Sequence, residues 1–275
     1  MKKILIISAI ISIAFTSCKK DDDTTTTGGS TASFTVEKKN RAAVIYFGED
    51  WCGPCGDYGG PTLDSCLLKE STLLTGMKFN GSSNASSLNS AIANGAYSAF
   101  NTGVFAGAST IPAMALNNQK ISITTNIPYN ASSAIQKATA FSNDSVIAGI
   151  ALRKSIEGDS IVIDSKVKFF KAIAAGSDYT LGLYVVEDNL IANQYTSGGY
   201  DVSYEYRNLV RTSNGATYTG VSINSSAAIT ADQEFESSTK IYLKPAWNKS
   251  KLKVVGVIWK KGTTPATVIN SNVVL

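Results

Sequence analysis

The chain has 275 residues, 44% hydrophobic and 17% charged, with a formal net charge of +4 and no histidine. That length holds one large domain or two ordinary ones, and the composition is neither that of a disordered acidic tail nor that of a multi-span membrane protein. Without imidazole, serine triads, cysteine–histidine dyads, histidine-ligated zinc and histidine general bases are excluded. The charge of +4 falls by two once Lys2 and Lys3 leave with the leader described next, too little for a nucleic-acid footprint.

Residues 1–17 have the layout of a signal peptide: Lys2 and Lys3, an apolar stretch from Ile4 to Phe15, then Thr16 and Ser17 before Cys18. The apolar stretch is shorter than the ~20 residues that a spanning helix requires. The small residues ahead of Cys18 resemble a bacterial lipoprotein signal. That resemblance implies lipidation of Cys18 and membrane attachment through its acyl chains; the alternative is an ordinary thiol in a plainly secreted protein. Residues 18–33 read as a flexible tether, acidic at Asp21–Asp23 and then threonine-rich, with no apolar period. The acidic run resembles the surface-export tag of Bacteroidetes lipoproteins, which implies an exported, outer-membrane protein that faces outward.

Three further cysteines follow, Cys52, Cys55 and Cys66. Zinc would need two more ligands beyond the Cys52/Cys55 pair, and the sequence offers neither histidine nor a second C-x-x-C, so no metal and no cofactor is expected. Ala43–Phe47 is a continuous apolar run that predicts a buried strand. After it, Gly48-Glu49-Asp50 predicts a tight turn of exposed residues, and Trp51-Cys52-Gly53-Pro54-Cys55 predicts the entry to a helix, with Pro54 tolerated in the first turn. A cysteine at a helix N-terminus meets free amides and the positive end of the helix dipole. Cys52 is therefore expected to ionise readily and attack, with the more buried Cys55 as the resolving thiol. Gly56, Gly59 and Gly60 predict loose first turns before a helix over Pro61–Lys69. Cys66 lies roughly 16 Å from Cys55 at ~1.5 Å per helical residue, so it is expected to be a small buried hydrophobe.

Trp51-Cys52-Gly53-Pro54-Cys55 is identical to the active-site motif of thioredoxin, and Ser109-Thr110-Ile111-Pro112 followed by Ala113–Leu116 resembles that family's cis-proline loop. The resemblance implies a thioredoxin-like fold, redox chemistry at Cys52 and Cys55, and substrate contacts through Trp51, Gly53, Pro54, Ile111 and Pro112, where a partner peptide would pair in extended form. One departure is Tyr46, which stands where thioredoxin has a buried acid; Glu49 and Asp50 nearby are expected as exposed turn residues, or else as acids that take its place.

Downstream, Met77–Phe79 predicts a short strand, Ser87–Phe100 a helix with Leu88, Ile92, Ala96 and Phe100 on one face, and Ala113–Leu116 with Lys120–Thr124 a hairpin. Ala131–Phe141 predicts a closing helix. From residue 146 onward the pattern changes to alternating β runs: 146–153, 160–169, 179–187, 239–246, 252–260 and 267–275. The fold class is thus an α/β thioredoxin-like domain, residues 34–143, followed by an all-β antiparallel, sandwich-like domain, residues 144–275. The tyrosines between Tyr195 and Arg207 are expected to cover one end of the sandwich, or else to stack on a glycan or peptide. The whole arrangement resembles the outer-membrane-protein-twenty-eight-related lipoproteins of Bacteroidetes. The expected function is a membrane-anchored, extracytoplasmic thiol–disulfide oxidoreductase acting on protein or peptide disulfides. The competing expectation is a cell-surface binding or adhesion lipoprotein in which Cys52 and Cys55 form a structural staple.

Overall fold

The computed structural model describes residues 34–81, 87–107 and 110–275, which belong to one compact unit, Phe34–Leu275. The leader, Cys18, the tether and Ser109 lie outside the described residues.

The apolar run that follows Arg41 forms β1, Ala42–Gly48, buried along its whole length. It pairs in parallel with β2, Leu74–Asn80, and antiparallel with β3, Ala113–Leu116, which forms a hairpin with β4, Gln119–Ile121. Three helices accompany these strands: α1, Gly60–Lys69; α2, Ala93–Gly103; and α3, Ile127–Ser142. Buried Leu63 and Cys66 of α1 pack with Ala131, Ala134 and Ala138 of α3 and with Val44 and Met114 on one face of the sheet. The other face carries α2, whose Ala96 and Phe100 pack against Ile45, Phe47 and Phe79. The predicted β-α-β-α-β-β-α order is what the chain adopts.

The remaining strands are β5 (Ala148–Glu157), β6 (Ser160–Phe169), β7 (Tyr179–Glu187), β8 (Leu190–Ile191), β9 (Gln194–Thr196), β10 (Gly199–Asp201), β11 (Glu205–Tyr206) and β12 (Leu209–Ser213). They are followed by β13 (Val221–Ser222), β14 (Glu234–Tyr242), β15 (Leu252–Lys260) and β16 (Thr267–Val274). The three-stranded sheet β14-β6-β5 packs its Ile150, Ile161, Ile163 and Phe169 against Leu183, Val185, Val254 and Ile258 of β7 and β15, which is the expected sandwich. The composition switch falls between α3 and β5. The hydrogen-bonded sheet, however, runs across it in the order β16-β15-β7-β12-β2-β1-β3-β4, because Leu209 of β12 pairs in parallel with Lys78 of β2.

Several boundaries differ from the sequence reading. The helix expected from Ser87 begins at Ala93; residues 87–92 form turns in which the Ser90 amide bonds the Asn80 carbonyl and Ala93 bonds Ser90. The strand expected over 239–246 is β14, Glu234–Tyr242, which pairs with β6 along its whole length and carries the exposed Ser237 opposite Ser165. The Ser237 hydroxyl is satisfied by Ser165 at 2.8 Å, while Glu234 and Glu236 pair outside with Lys166. The second strand of the hairpin after Pro112 ends at Ile121, since Asn130 captures the backbone and hydroxyl of Thr124.

Candidate functional site

β1 delivers the chain to Gly48, and the turn that follows places Trp51 and Cys52 at the mouth of a helix. Cys52 and Cys55 are joined by a disulfide. The Cys55 amide donates to the Cys52 carbonyl at 3.0 Å and also lies 3.2 Å from Cys52 Sγ. The loosened first turns take a definite form. Cys55–Gly59 is a π-helical turn, in which the Gly60 amide bonds the Cys55 carbonyl five residues back, and Pro61 then contributes no amide hydrogen. Cys66 is fully buried and free, and burial pushes its thiol up to about 12.

The Ile111–Pro112 bond is cis, and its proline ring lies against the π turn: a Cβ on Gly59 would sit 2.6 Å from Pro112 Cβ. Trp51 is 45% exposed and Pro54 is exposed, whereas Cys52 is 5% exposed and Cys55 is buried completely. A slot of about 460 Å³ lies over the motif. Trp51, Cys52, Gly53, Pro54 and Ile111 form one part of its lining and Tyr195, Thr196 and Ser197 the rest. The structure therefore brings Trp51, Cys52, Gly53, Pro54 and Ile111 to one opening, with Pro112 behind it.

The tyrosine-rich segment corrects the sequence reading: it covers the dithiol loop rather than an end of the sandwich. β12 is stitched to β2, so the chain between β7 and β12 is held near the end of β1 and β2 where the motif sits. There the β9–β10 hairpin docks. The Tyr195 amide donates to the Asp50 carbonyl at 2.6 Å, Asp57 accepts from the Ser197 amide at 3.0 Å, and the Tyr195 ring lies over Gly53. Fully buried Gln194 donates through Nε2 toward the carbonyls of Glu49 and Cys52 at 3.1 and 3.0 Å, and its Oε1 accepts from the Tyr206 hydroxyl at 2.7 Å. A lone glutamine far downstream gives no sequence signal for this role. The only hints were the density of tyrosines and Gly56, where a Cβ would meet the Tyr195 carbonyl and the Gln194 side chain, both at 2.7 Å.

Behind the dithiol, Tyr46 is buried and donates to the Cys55 carbonyl at 3.4 Å; burial raises its phenol well above the ordinary range. Lys78, opposite Tyr46 on β2, is also buried, with its ammonium 4.1 Å from the centre of the Tyr206 ring and 5.5 Å from those of Tyr46 and Tyr204. Burial lowers its pKa to about 7, against the opposing pull of Asp64, Glu49 and Asp50. Asp64 is raised to about 6, chiefly by burial. Glu49 was expected as an exposed turn residue; it is 5% exposed, because its carboxylate folds inward and accepts the Gly81 amide at 3.0 Å. Among the described residues no three acidic or cysteine side chains converge as a metal site, and no helix is long and apolar enough to cross a membrane.

No family model and no curated protein matches the sequence. Solved structures do. HBP35 of Porphyromonas gingivalis superposes with a TM-score of 0.68 at 14% identity, over 87% of this chain and 76% of that one. A protein of Agrobacterium tumefaciens gives a TM-score of 0.49 at 12% identity, covering 87% of this chain and 96% of its own. A domain of the outer membrane lipoprotein Omp28 of Porphyromonas gingivalis gives 0.31 at 11% identity, over 48% of this chain and 88% of that domain. The chain shares the fold of HBP35, a thioredoxin-like α/β part joined to a β-rich part, with a C-G-P-C disulfide and a cis-proline at the place the motif predicts.

Proposed function

We propose that the protein is a membrane-anchored, extracytoplasmic thiol–disulfide oxidoreductase acting on protein or peptide disulfides, attached through a lipid on Cys18. The observation that carries the activity is the slot over Cys52, walled on one part by cis-linked Ile111 and elsewhere by the β9–β10 hairpin. In the reduced protein the Cys52 thiolate attacks a substrate disulfide. One Cys52–substrate bond forms, the substrate bond breaks, and the first substrate sulfur leaves as a thiolate that takes a proton from water. Cys55 then loses its proton and attacks Cys52. The Cys52–Cys55 bond forms, the second substrate sulfur leaves, and the substrate is reduced by two electrons while the protein is oxidised by two. The backbone at Ile111 offers an extended peptide an edge to pair with. Attachment and export rest on the leader sequence, Lys2 to Cys18.

A second reading has its own support. Cys52 is 5% exposed and the hairpin is clamped over the motif, which fits a surface binding or adhesion protein with Cys52–Cys55 as a staple. Insulin reduction with dithiothreitol separates the two. The wild-type chain is expected to accelerate precipitation of the insulin B chain and Cys52→Ser is not; equal rates remove the redox reading.

A further inference from the structure

A second cavity, of about 310 Å³, adjoins the slot, and Trp51 and Ile111 line both, forming the wall between them. Three more aromatic rings line it, those of Phe47, Phe79 and Tyr97. Phe47 and Phe79 stack with centroids 5.5 Å apart, the Tyr97 ring is 5.5 Å from Phe47, and the first two are almost wholly buried, so part of the lining is fixed by the core. An apolar cavity of about 150 Å³ already holds benzene, so this one has room for a phenyl, phenol or indole ring, and ring-lined walls favour another ring in edge or offset contact. Glu49, also in the lining, has its carboxylate oriented by the Gly81 amide and disfavours an acidic guest.

We propose that this cavity is a specificity subsite that takes an aromatic side chain flanking the cysteine of a peptide substrate. The inference rests on the redox reading above. A peptide extended along Ile111 with its sulfur at Cys52 turns successive side chains to opposite sides, at ~3.3 Å per residue, so a neighbouring side chain passes Ile111 into the cavity.

The test uses the full chain carrying Cys55→Ser, reduced, and short peptides whose single cysteine is disulfide-linked to 5-thio-2-nitrobenzoate. Attack by Cys52 forms the Cys52–peptide disulfide and releases the coloured thiolate. Alanine, leucine, phenylalanine, tryptophan or glutamate is placed in turn at each of the two positions on either side of the cysteine. At one position phenylalanine or tryptophan is expected to react about ten- to a hundredfold faster than alanine, the range for burying one ring, with glutamate slowest. Asn94→Trp, which fills the mouth of the cavity from α2, and Tyr97→Ala, which removes one wall, should each shrink that preference to under threefold, read as the ratio of the aromatic to the alanine peptide's rate within the same variant. A preference below twofold at every position, or one that survives both variants, overturns the subsite alone. Failure of every peptide to react, alanine included, overturns the redox reading on which it rests.

Discussion

The Gln194 side-chain amide donates to the backbone carbonyl of Cys52 at 3.0 Å, from 142 residues further along the chain. The same amide reaches the Glu49 and Asp50 carbonyls, and Tyr206 holds its oxygen, so one buried side chain fixes the dithiol turn from the β-rich half of the sequence. Gln194→Ala would leave these carbonyls and the Tyr206 hydroxyl to find other partners. The expected loss is about 2–4 kcal/mol, from several buried groups unsatisfied at ~1–3 kcal/mol each with partial relaxation. Chemical denaturation should show a lower midpoint at an unchanged slope, and iodoacetamide should alkylate reduced Cys52 faster than in the wild-type chain.

Two glycines make a matched pair. At Gly56 a Cβ would meet the Tyr195 carbonyl and the Gln194 side chain at 2.7 Å, whereas at Gly95, in α2, it meets nothing within 4 Å. Gly95→Ala is therefore expected to stabilise by about 0.5–1 kcal/mol through helix propensity. Gly56→Ala should destabilise by about 1–3 kcal/mol, the usual cost of overpacking, by pushing the hairpin away from the dithiol turn. Thermal melts of the two variants should move in opposite directions.

Lys78 makes stability depend on pH in a definite direction. Its pKa is about 7 in the folded chain, depressed by burial from 10.5, so between those values the unfolded chain binds more protons and stability rises with pH. Below about pH 7 the lysine is charged in both states and the cost of burying that charge is fully felt. Asp64 works the other way: raised to about 6 from 3.8, it makes stability fall as pH rises across that interval. The denaturation midpoint is expected to climb from pH 7 to about 8 in the wild type, below the range in which Cys66 and the buried tyrosines titrate in the unfolded chain, with a slope up to about 1.4 kcal/mol per pH unit, and to stay level over that range in Lys78→Met. A parallel climb in the variant assigns the dependence elsewhere.

Cys66 is buried and its thiol is pushed up to about 12, so it should resist alkylation at pH 8 while the chain is folded. Mass spectrometry of the Cys66 peptide after iodoacetamide treatment is expected to show it unmodified without denaturant and fully modified in about 6 M guanidinium, above the midpoint of any domain short of the hyperstable range that begins at ~5 M.

Much of the framework was legible before any coordinates. A continuous apolar run such as 43–47 has one stable use, a strand buried on both faces, and strict alternation such as Ser160–Phe169 sets a half-buried strand to the residue. Glycine and proline after Cys55 announced a weakened helix start because both act locally, through backbone freedom and a missing donor. Boundaries failed where long-range partners set them: Asn80 captures the turn ahead of α2, Asn130 ends the strand at Ile121, and pairing with β6 carries β14 back to Glu234.

By itself the sequence determined the strand and helix order up to α3 and the dithiol at the mouth of a helix, since each depends on residues a few positions apart; the proline that faces the dithiol was implied by the thioredoxin resemblance, and the short strands β8–β13 had no local signal. Only the tertiary structure decided that Gln194, Tyr195 and Ser197 lie over Cys52, that Lys78 sits among three tyrosines, and that an aromatic-lined cavity opens beside Trp51. The first two follow from the pairing of Leu209 with Lys78, which joins the two halves into one sheet, and the cavity from the packing of α2 and the Ile111 loop against the ends of β1 and β2. A parallel pairing between distant segments costs loop-closure entropy and is offset by the buried contacts of the whole fold, and no local pattern records that balance.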